Sequence, residues 1–266
     1  MKVKKVKSLI NFIESNDEHW HPIHHWVFRG VPNANFGLRP TLGRHRIQKP
    51  DWILNREMCL LEDFKRRAAN LLEKNPSGDL EWLCVARHYG LATRLLDWTQ
   101  NALVALYFAA HSDIESDFAV YCMFGGTHLG ADCSDMQLED IQKRDDEVLF
   151  FPRWTSPRLI SQSAVFLLCS KPWEDFNGSD DYTVEKYVFP AACRKKLRYQ
   201  LRMLDITSAV VWADLQGLAQ DINDLYFYID RERFPLPPPD AKMKQILREF
   251  KKQLGQNAPS KRRGSR

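Results

Sequence analysis

Residues 87–110, RHYGLATRLLDWTQNALVALYFAA, join a polar cluster to an apolar segment of helical character. Between His88 and Trp98 the chain carries histidine, tyrosine, threonine, arginine, aspartate and tryptophan side chains. Polar groups that lose water on folding need hydrogen-bond partners. These side chains therefore either satisfy one another in a structural network or line a binding site, and the sequence leaves both interpretations open.

The spacing of apolar residues around this cluster predicts helices over 56–74, 79–89 and 100–111. Gly90 is expected to form a left-handed cap after the second of these helices. Residues 91–98 are expected to form a short connector, and the residue at its end, Asp97, or the nearby threonine would cap the third helix.

Short β-prone runs predict strands over 25–29, 118–124, 163–169 and 184–189. The chain shows no steady alternation of strands and helices, which argues against a doubly wound parallel sheet. The sequence therefore predicts an α+β fold, a single domain with a small mixed or antiparallel sheet and flanking helices.

The predicted organisation places this domain between two terminal segments. The C-terminal part contains a stiff proline-rich run, an amphipathic helix and a basic tail of disordered character. The expected boundaries are an N-terminal helix over 1–18, the domain over 19–232, the proline-rich linker over 233–240, the C-terminal helix over 241–256 and the disordered tail over 257–266.

The charge distribution, the cysteine spacing and the lengths of the apolar runs restrict the classes of protein to which this chain can belong. Residues 242–266 carry nine Lys/Arg and one Glu, a net +8, so the chain's overall +4 leaves −4 for residues 1–241. This balance does not predict a nucleic-acid role for the whole protein, although the basic tail could contact nucleic acid.

Six scattered cysteines without a C-x-x-C pair are typical of reduced thiols. No long apolar run is present, so we expect a cytoplasmic protein without a membrane partner.

Arg29 and Gly30, in WVFRG at 26–30, are the first candidate ligand-binding residues. An arginine at a strand end can present its planar guanidinium to a phosphate or carboxylate, and glycine permits close backbone approach. The alternative role for this arginine is a structural salt bridge.

The central cluster supplies a larger candidate set. Its aromatic group would stack a base, its arginine would bind phosphate, and its histidine or aspartate would handle protons. Arg94 and Asp97, three positions apart, are expected to form an ion pair. A self-satisfied structural network is the competing interpretation. The candidates are His88 and Asp97 as catalytic residues, with Tyr89, Thr93, Arg94 and Trp98 as ligand-binding residues.

Arg158 and Gln162 precede a hydrophobic strand in PRLISQSAVFLL, residues 157–168. Arg158 is a candidate ligand-binding residue, and Gln162 a candidate catalytic residue that would position the substrate. The histidines between residues 19 and 25 match no familiar zinc spacing, so the sequence predicts no metal site.

Five segments resemble, in order, the FRG family, named for its Phe/Tyr-Arg-Gly motif. They are WVFRG (26–30), FKRRA (64–68), ARHYGLATRLLDWTQNALVALYFAA (86–110), PRLISQSAVF (157–166) and LDITSAVVWADLQGLAQDI (204–222). The resemblance covers roughly residues 20–225 and its central motif is highly specific. Ala92 stands where the family commonly has proline, and Val211–Asp214 replace a Phe-Pro-Asp run.

The FRG family is largely uncharacterised, and the resemblance implies a prokaryotic defence or toxin setting. A weaker similarity to ADP-ribosyltransferases implies that Arg29 grips the phosphates of NAD and that Gln162 begins the catalytic strand. Ala164 then stands where a catalytic glutamate is expected. The resulting hypothesis is a protein that binds a nucleotide-type ligand, NAD or nucleic acid, with a transferase or hydrolase activity and no resident cofactor. The alternative is a non-catalytic binding or sensor module. The oligomeric state is open.

Overall fold

The computed structural model describes residues 1–17, 26–46, 49–72, 75–126, 128–154 and 156–228. The chain divides into two units, Met1–Ile222 and Asn223–Arg266. The expected proline-rich linker, C-terminal helix and basic tail lie outside the described residues.

Eight strands of the first unit form one mixed sheet. They are β1 (Lys2–Lys5), β2 (Val27–Val31), β3 (Leu95–Thr99), β4 (Phe118–Gly125), β5 (His128–Leu129), β6 (Val148–Phe150), β7 (Ala164–Leu168) and β8 (Tyr182–Phe189). Their order across the sheet is β1-β8-β4-β2-β3-β7-β6-β5. The pairs β1–β8 and β5–β6 are parallel and the other neighbours are antiparallel.

Helices flank this sheet. They are α1 (Leu9–Asp17), α2 (Pro50–Ala68), α3 (Asp79–His88), α4 (Ala102–Ala110), α5 (Leu138–Gln142), α6 (Pro157–Ser161), α7 (Arg194–Met203), α8 (Ser208–Trp212) and α9 (Leu215–Asn223). The α+β class and the mixed sheet with flanking helices are confirmed, although the sheet is larger than the small one predicted.

The predicted connector over residues 91–98 is wrong, because its second half is strand β3. Leu95, Leu96 and Trp98 are buried there, and each residue of β3 pairs with β7. A strand that is buried on both faces has a nearly continuous apolar sequence rather than an alternating one. Asp97 interrupts this apolar run, and the strand was not predicted for that reason. The cap of α4 is Asn101, whose side chain accepts hydrogen bonds from two backbone N–H groups of the first turn.

The N-terminal helix predicted over residues 1–18 is also partly wrong. Residues Lys2–Lys5 form β1 instead, paired in parallel with β8 at the edge of the sheet. Lys4 donates a 2.8 Å hydrogen bond to Glu185, a buried carboxylate on β8. This pairing across the strands favours extended backbone over helix at this end of the chain.

Helix α4 packs against strand β2 at the centre of the fold. A Cβ on Gly30 would lie 1.8 Å from the carbonyl oxygen of Ala105 and 2.6 Å from the backbone nitrogen of Ala109. Only glycine therefore allows the two backbones to approach this closely. This contact fixes the end of β2 that carries Arg29.

Candidate functional site

A cavity of about 360 Å³ opens where β2, β3 and α4 meet α3, α6 and α8. Charged and aromatic side chains from distant parts of the chain share its wall. Of the residues singled out from the sequence, it is lined by Arg29, Gly30, His88, Asp97, Trp98, Arg158 and Gln162.

Arg87 and Asp97 form the closest ion pair of the cavity. Arg87 Nη2 lies 2.6 Å from Asp97 Oδ2, and Arg87 Nε lies 3.0 Å from Oδ1. Such a bidentate pair fixes both side chains in one orientation. Arg87 Nη1 also donates a 2.9 Å hydrogen bond to Thr41 Oγ1. The pair therefore joins the end of α3 to β3 across the Gly90 turn, whose φ is 91°.

Arg29 reaches the same aspartate from β2. Strands β2 and β3 pair only at Phe28 and Thr99. Beyond that position, Arg29 Nη1 donates a 2.6 Å hydrogen bond to the backbone carbonyl of Asp97 and lies 3.4 Å from its carboxylate. Arg29 Nε is buried and has no hydrogen-bond partner among the described residues. Arg29 thus bridges the two strands, lines the cavity and retains one buried donor without a partner among the described residues.

The charges around Asp97 set its ionisation. Desolvation by the surrounding protein raises its pKa, but the charges and hydrogen bonds of Arg87 and Arg29 outweigh this and hold the pKa below its ordinary value. The side chain nevertheless retains 42 % of its accessible surface. Asp97 is therefore an ionised carboxylate that a ligand in the cavity can reach.

The desolvation of Arg29 lowers its pKa, and the neighbouring Arg87 and Arg44 charges act in the same direction. Like charges packed together and removed from water are costly unless an anion approaches them. Three guanidinium groups, those of Arg29, Arg87 and Arg158, face one carboxylate among the described lining residues. The cavity consequently favours an anionic ligand.

Arg158 and Trp212 form the opposite wall. The Arg158 guanidinium carbon lies 3.9 Å from the centre of the Trp212 indole ring, a cation–π contact. The Arg158 guanidinium makes no direct hydrogen bond or ion pair with a described residue; desolvation lowers its pKa, and the more distant charge of Asp214 acts in the opposite direction. Phe108 packs edge-on against the same indole at 5.6 Å. This wall offers a free guanidinium beside two aromatic rings.

Gln162 fixes this wall rather than pointing freely into the cavity. It caps α6, and its Nε2 donates a 3.2 Å hydrogen bond to the carbonyl of Val211. Its own backbone carbonyl accepts a hydrogen bond from Thr99. Ser163 follows Gln162, and Ala213 follows Trp212. Both have positive φ angles, 44° and 51°. Such backbone is unfavourable for non-glycine residues and often occurs at functional sites.

His88 lies at the end of α3 on the cavity wall. Desolvation lowers its pKa, and the Arg158 charge lowers it further, so the imidazole is neutral at pH 7. Tyr89, which follows it, is 70 % exposed and its ring meets His88 edge-on at 5.0 Å. Tyr89 is not among the lining residues and stands outside the cavity.

Arg94 does not pair with Asp97 as predicted, and it lies away from the cavity. It is fully buried and forms a bidentate ion pair with Glu57 of α2, with Arg94 Nη2 2.5 Å from Glu57 Oε2. A guanidinium enclosed in this way cannot meet a phosphate. The structure therefore replaces Arg94 with Arg87 as the partner of Asp97.

Thr93 and Trp98 also face away from the cavity. Thr93 is fully buried, and its hydroxyl accepts a hydrogen bond from the backbone of Leu95. Trp98 is among the lining residues, but its side chain is buried in an apolar cluster with Leu96 and Val165, which leaves little of the indole for a ligand. Trp212 takes the place in the cavity that Trp98 was expected to fill.

Arg87 and Trp212 were not identified from the sequence. Arg87 immediately precedes His88 in the quoted stretch, and its position at the end of α3, one turn before Gly90, was the available signal. Trp212 lies in a segment that reads equally well as strand or helix, and it is helix α8. Nothing in the local sequence places it opposite Arg158.

The described residues form neither a candidate metal site nor a membrane-spanning helix. They contain no group of three or more histidine, cysteine, aspartate or glutamate side chains placed to hold a metal ion. The histidines between residues 19 and 25 lie outside the described residues. None of the described helices is long and apolar enough to cross a membrane.

Residues 24–117 match the family model of the FRG domain. This range contains both Arg29 and the stretch from Arg87 to Asp97. No curated protein sequence matches the chain, and no solved structure matches it. The similarity to ADP-ribosyltransferases therefore has no support from these comparisons. The predicted resemblance at 157–166 and 204–222 lies outside this range and stays a prediction. Over the matched range the predicted FRG resemblance is confirmed, and the chain carries an FRG domain at residues 24–117.

Proposed function

We propose that the cavity binds a phosphate-bearing ligand of the nucleotide type. The observation that carries this proposal is the excess of guanidinium groups, three against one carboxylate among the described lining residues, in a cavity that also has an indole wall. Phosphate is the anion that planar guanidinium groups recognise most effectively.

Arg158 is the primary phosphate ligand in this proposal because its guanidinium packs on Trp212 and makes no direct hydrogen bond or ion pair with a described residue. Arg29 adds its buried Nε donor. Arg87, each of whose three nitrogens already donates to Asp97 or Thr41, contributes chiefly its charge. The ligand would therefore be held by one free arginine and two arginines that are fixed in place.

The apolar part of the ligand would rest against Trp212 and Phe108. A volume of about 360 Å³ lies at the lower end of the range for small-molecule sites, about 300–1,000 Å³. This size suits a single nucleotide unit. NAD or a nucleic-acid strand would enter the cavity with one nucleotide and extend beyond it.

A catalytic role would rest on Asp97. It is an accessible, ionised carboxylate, and Ala164 supplies no second carboxylate to the cavity. An ionised carboxylate can stabilise the positive charge that develops on a ribose during cleavage of its bond to a base. Glycohydrolase or transferase chemistry on NAD, and an effector role in defence, are the catalytic form of the proposal.

Calorimetric titration of the full chain with AMP and with adenosine tests the binding proposal. AMP should bind and adenosine should bind at least tenfold more weakly, because adenosine lacks the phosphate. Arg158→Ala should weaken AMP binding about tenfold, the value of one charge-assisted hydrogen bond. The matched control is Arg67→Ala, an exposed arginine of α2 outside the cavity. Equal affinities for AMP and adenosine would overturn the proposal.

Release of nicotinamide from NAD tests the catalytic form separately. The wild-type chain should release nicotinamide, and Asp97→Asn should abolish release while AMP binding persists. Binding of AMP without turnover of NAD would instead support the non-catalytic module and remove the glycohydrolase assignment.

A further inference from the structure

A second and larger hollow, about 1380 Å³, runs along α2 and the turn Thr41–Arg44. Four cationic residues line it, Arg44, Arg56, Lys65 and Arg66, together with the carboxylates of Glu62 and Asp63. We refer to it as the α2 groove.

Two of the cations in the α2 groove are already paired. Lys65 contacts Glu62 and Asp79, and Arg66 contacts Asp63. Within the described residues, Arg44 and Arg56 form no ion pair. The α2 groove therefore presents two unneutralised guanidinium groups, and this charge favours a polyanion.

Flat side chains lie beside these cations. The imidazole of His45 stacks on the indole of Trp52, with ring centres 4.8 Å apart and planes 29° apart. The guanidinium carbon of Arg56 lies 5.2 Å from the centre of the same indole. Aromatic groups interleaved with cations in an open groove are typical of surfaces that bind single-stranded nucleic acid.

The α2 groove and the cavity meet at one hydrogen bond. Thr41 lines the α2 groove, Arg87 lines the cavity, and Arg87 Nη1 donates to Thr41 Oγ1 at 2.9 Å. Arg44 lies near enough to both features for its charge to depress the pKa of Arg29, after the larger effect of desolvation. Arg44, Arg87 and Arg29 thus form a series of positive charges between the α2 groove and Asp97.

We propose that the α2 groove holds the sugar–phosphate backbone of a single-stranded nucleic acid, of which one nucleotide occupies the cavity. This proposal rests on the nucleotide binding proposed above and names its ligand class. A base within a duplex could not enter the cavity without leaving its stack. The ligand is therefore a single strand, and the cavity holds its unpaired nucleotide.

Fluorescence anisotropy of the full chain with a short fluorescein-labelled oligonucleotide tests this assignment. Single-stranded DNA, single-stranded RNA of the same sequence and a blunt DNA duplex are the probes. At least one single strand should bind tighter than AMP and tighter than the duplex. The difference between the DNA and RNA strands identifies the natural polymer.

Two charge reversals locate the binding. Arg56→Glu lies in the α2 groove, whereas Lys196→Glu lies at an exposed position of α7 and lines neither the α2 groove nor the cavity. Arg56→Glu should weaken strand binding about tenfold and reduce the slope of log affinity against log salt by about 0.7, the value for one lost phosphate contact. Lys196→Glu should change affinity less than twofold. AMP binding should be unchanged in both.

A third variant, Lys261→Gln/Arg262→Gln/Arg263→Gln, removes charge from the C-terminal tail. Loss of strand binding in this variant, or equal losses in the Arg56→Glu and Lys196→Glu variants, would overturn the assignment of the strand to the α2 groove. AMP binding with no preference for the strand would overturn this inference and leave the nucleotide proposal standing. Strand binding without any AMP binding would overturn both.

Discussion

Arg87 and Asp97 are ten residues apart and meet as a bidentate ion pair across the turn at Gly90. The pair couples the end of α3 to β3, and Arg29 approaches the same aspartate from β2. Helix α3 and strands β2 and β3 are thereby fixed around one carboxylate. This arrangement explains why the polar cluster contains both structural and accessible side chains.

Acid should destabilise the protein partly through Asp97. The pKa of Asp97 is lowered in the folded state relative to its ordinary value of 3.8. A depressed carboxylate pKa contributes stability above the unfolded-state pKa, and this contribution is lost as the pH falls through the folded-state pKa. We expect the melting temperature of Asp97→Asn to lie below that of the wild type at pH 7 and to converge with it below pH 3.8. A difference that is the same at pH 7 and at low pH would contradict the assignment.

Breaking the buried pair of Glu57 and Arg94 should be costly. Arg94→Met leaves a buried carboxylate without its charge partner, and we expect a loss of roughly 3–5 kcal/mol in the free energy of unfolding. Urea denaturation measures this loss. The double variant Glu57→Leu/Arg94→Met should be more stable than Arg94→Met alone, because no unpaired charge remains. A loss below about 1 kcal/mol in the single variant would argue against the pair.

Alanine should destabilise the protein at positions 30 and 90 for different reasons. At Gly30 the reason is a steric clash, and at Gly90 it is an unfavourable φ angle. Gly30→Ala places a Cβ 1.8 Å from the carbonyl of Ala105 and should lower the free energy of unfolding by roughly 3 kcal/mol or more. A Cβ on Gly90 would meet no described atom within 4 Å outside the adjacent residues, but the φ of 91° disfavours residues other than glycine. Gly90→Ala should therefore cost about 1–2 kcal/mol. Denaturant midpoints of the two variants provide the comparison, and equal losses would refute the distinction.

Arg158 should contribute to binding more than to stability. Its guanidinium packs on Trp212 and makes no ion pair with a described residue. We expect Arg158→Ala to change the free energy of unfolding by no more than about 1 kcal/mol, the value of a cation–π contact at an accessible site. Thermal unfolding with and without AMP separates the two effects: the variant should melt near the wild type alone and lose the shift that AMP produces. A large loss of stability without AMP would assign Arg158 a structural role.

The sequence predicted most elements because their apolar spacing is local information. Strands β4, β7 and β8 and helices α3 and α4 follow directly from it. Strand β3 was missed because Asp97 interrupts its apolar run. What the spacing could not show is that a neighbour strand, β7, buries one edge of β3 along its whole length.

The partners of the arginines depend on tertiary contacts. Arg87 and Arg94 flank the same turn, and the sequence favoured Arg94 as the partner of Asp97 because it lies three positions away. In the fold, α2 brings the carboxylate of Glu57 to Arg94 instead. The choice is decided by a residue more than thirty positions upstream, and local spacing carries no information about it.

The most direct test is a crystal structure of the full chain with AMP bound. The proposal predicts phosphate oxygens within about 3.2 Å of the Arg158 and Arg29 guanidinium nitrogens and the purine against Trp212. An AMP molecule seated elsewhere, with Arg158 still packed on Trp212 and Arg29 Nε still without a ligand partner, would contradict it.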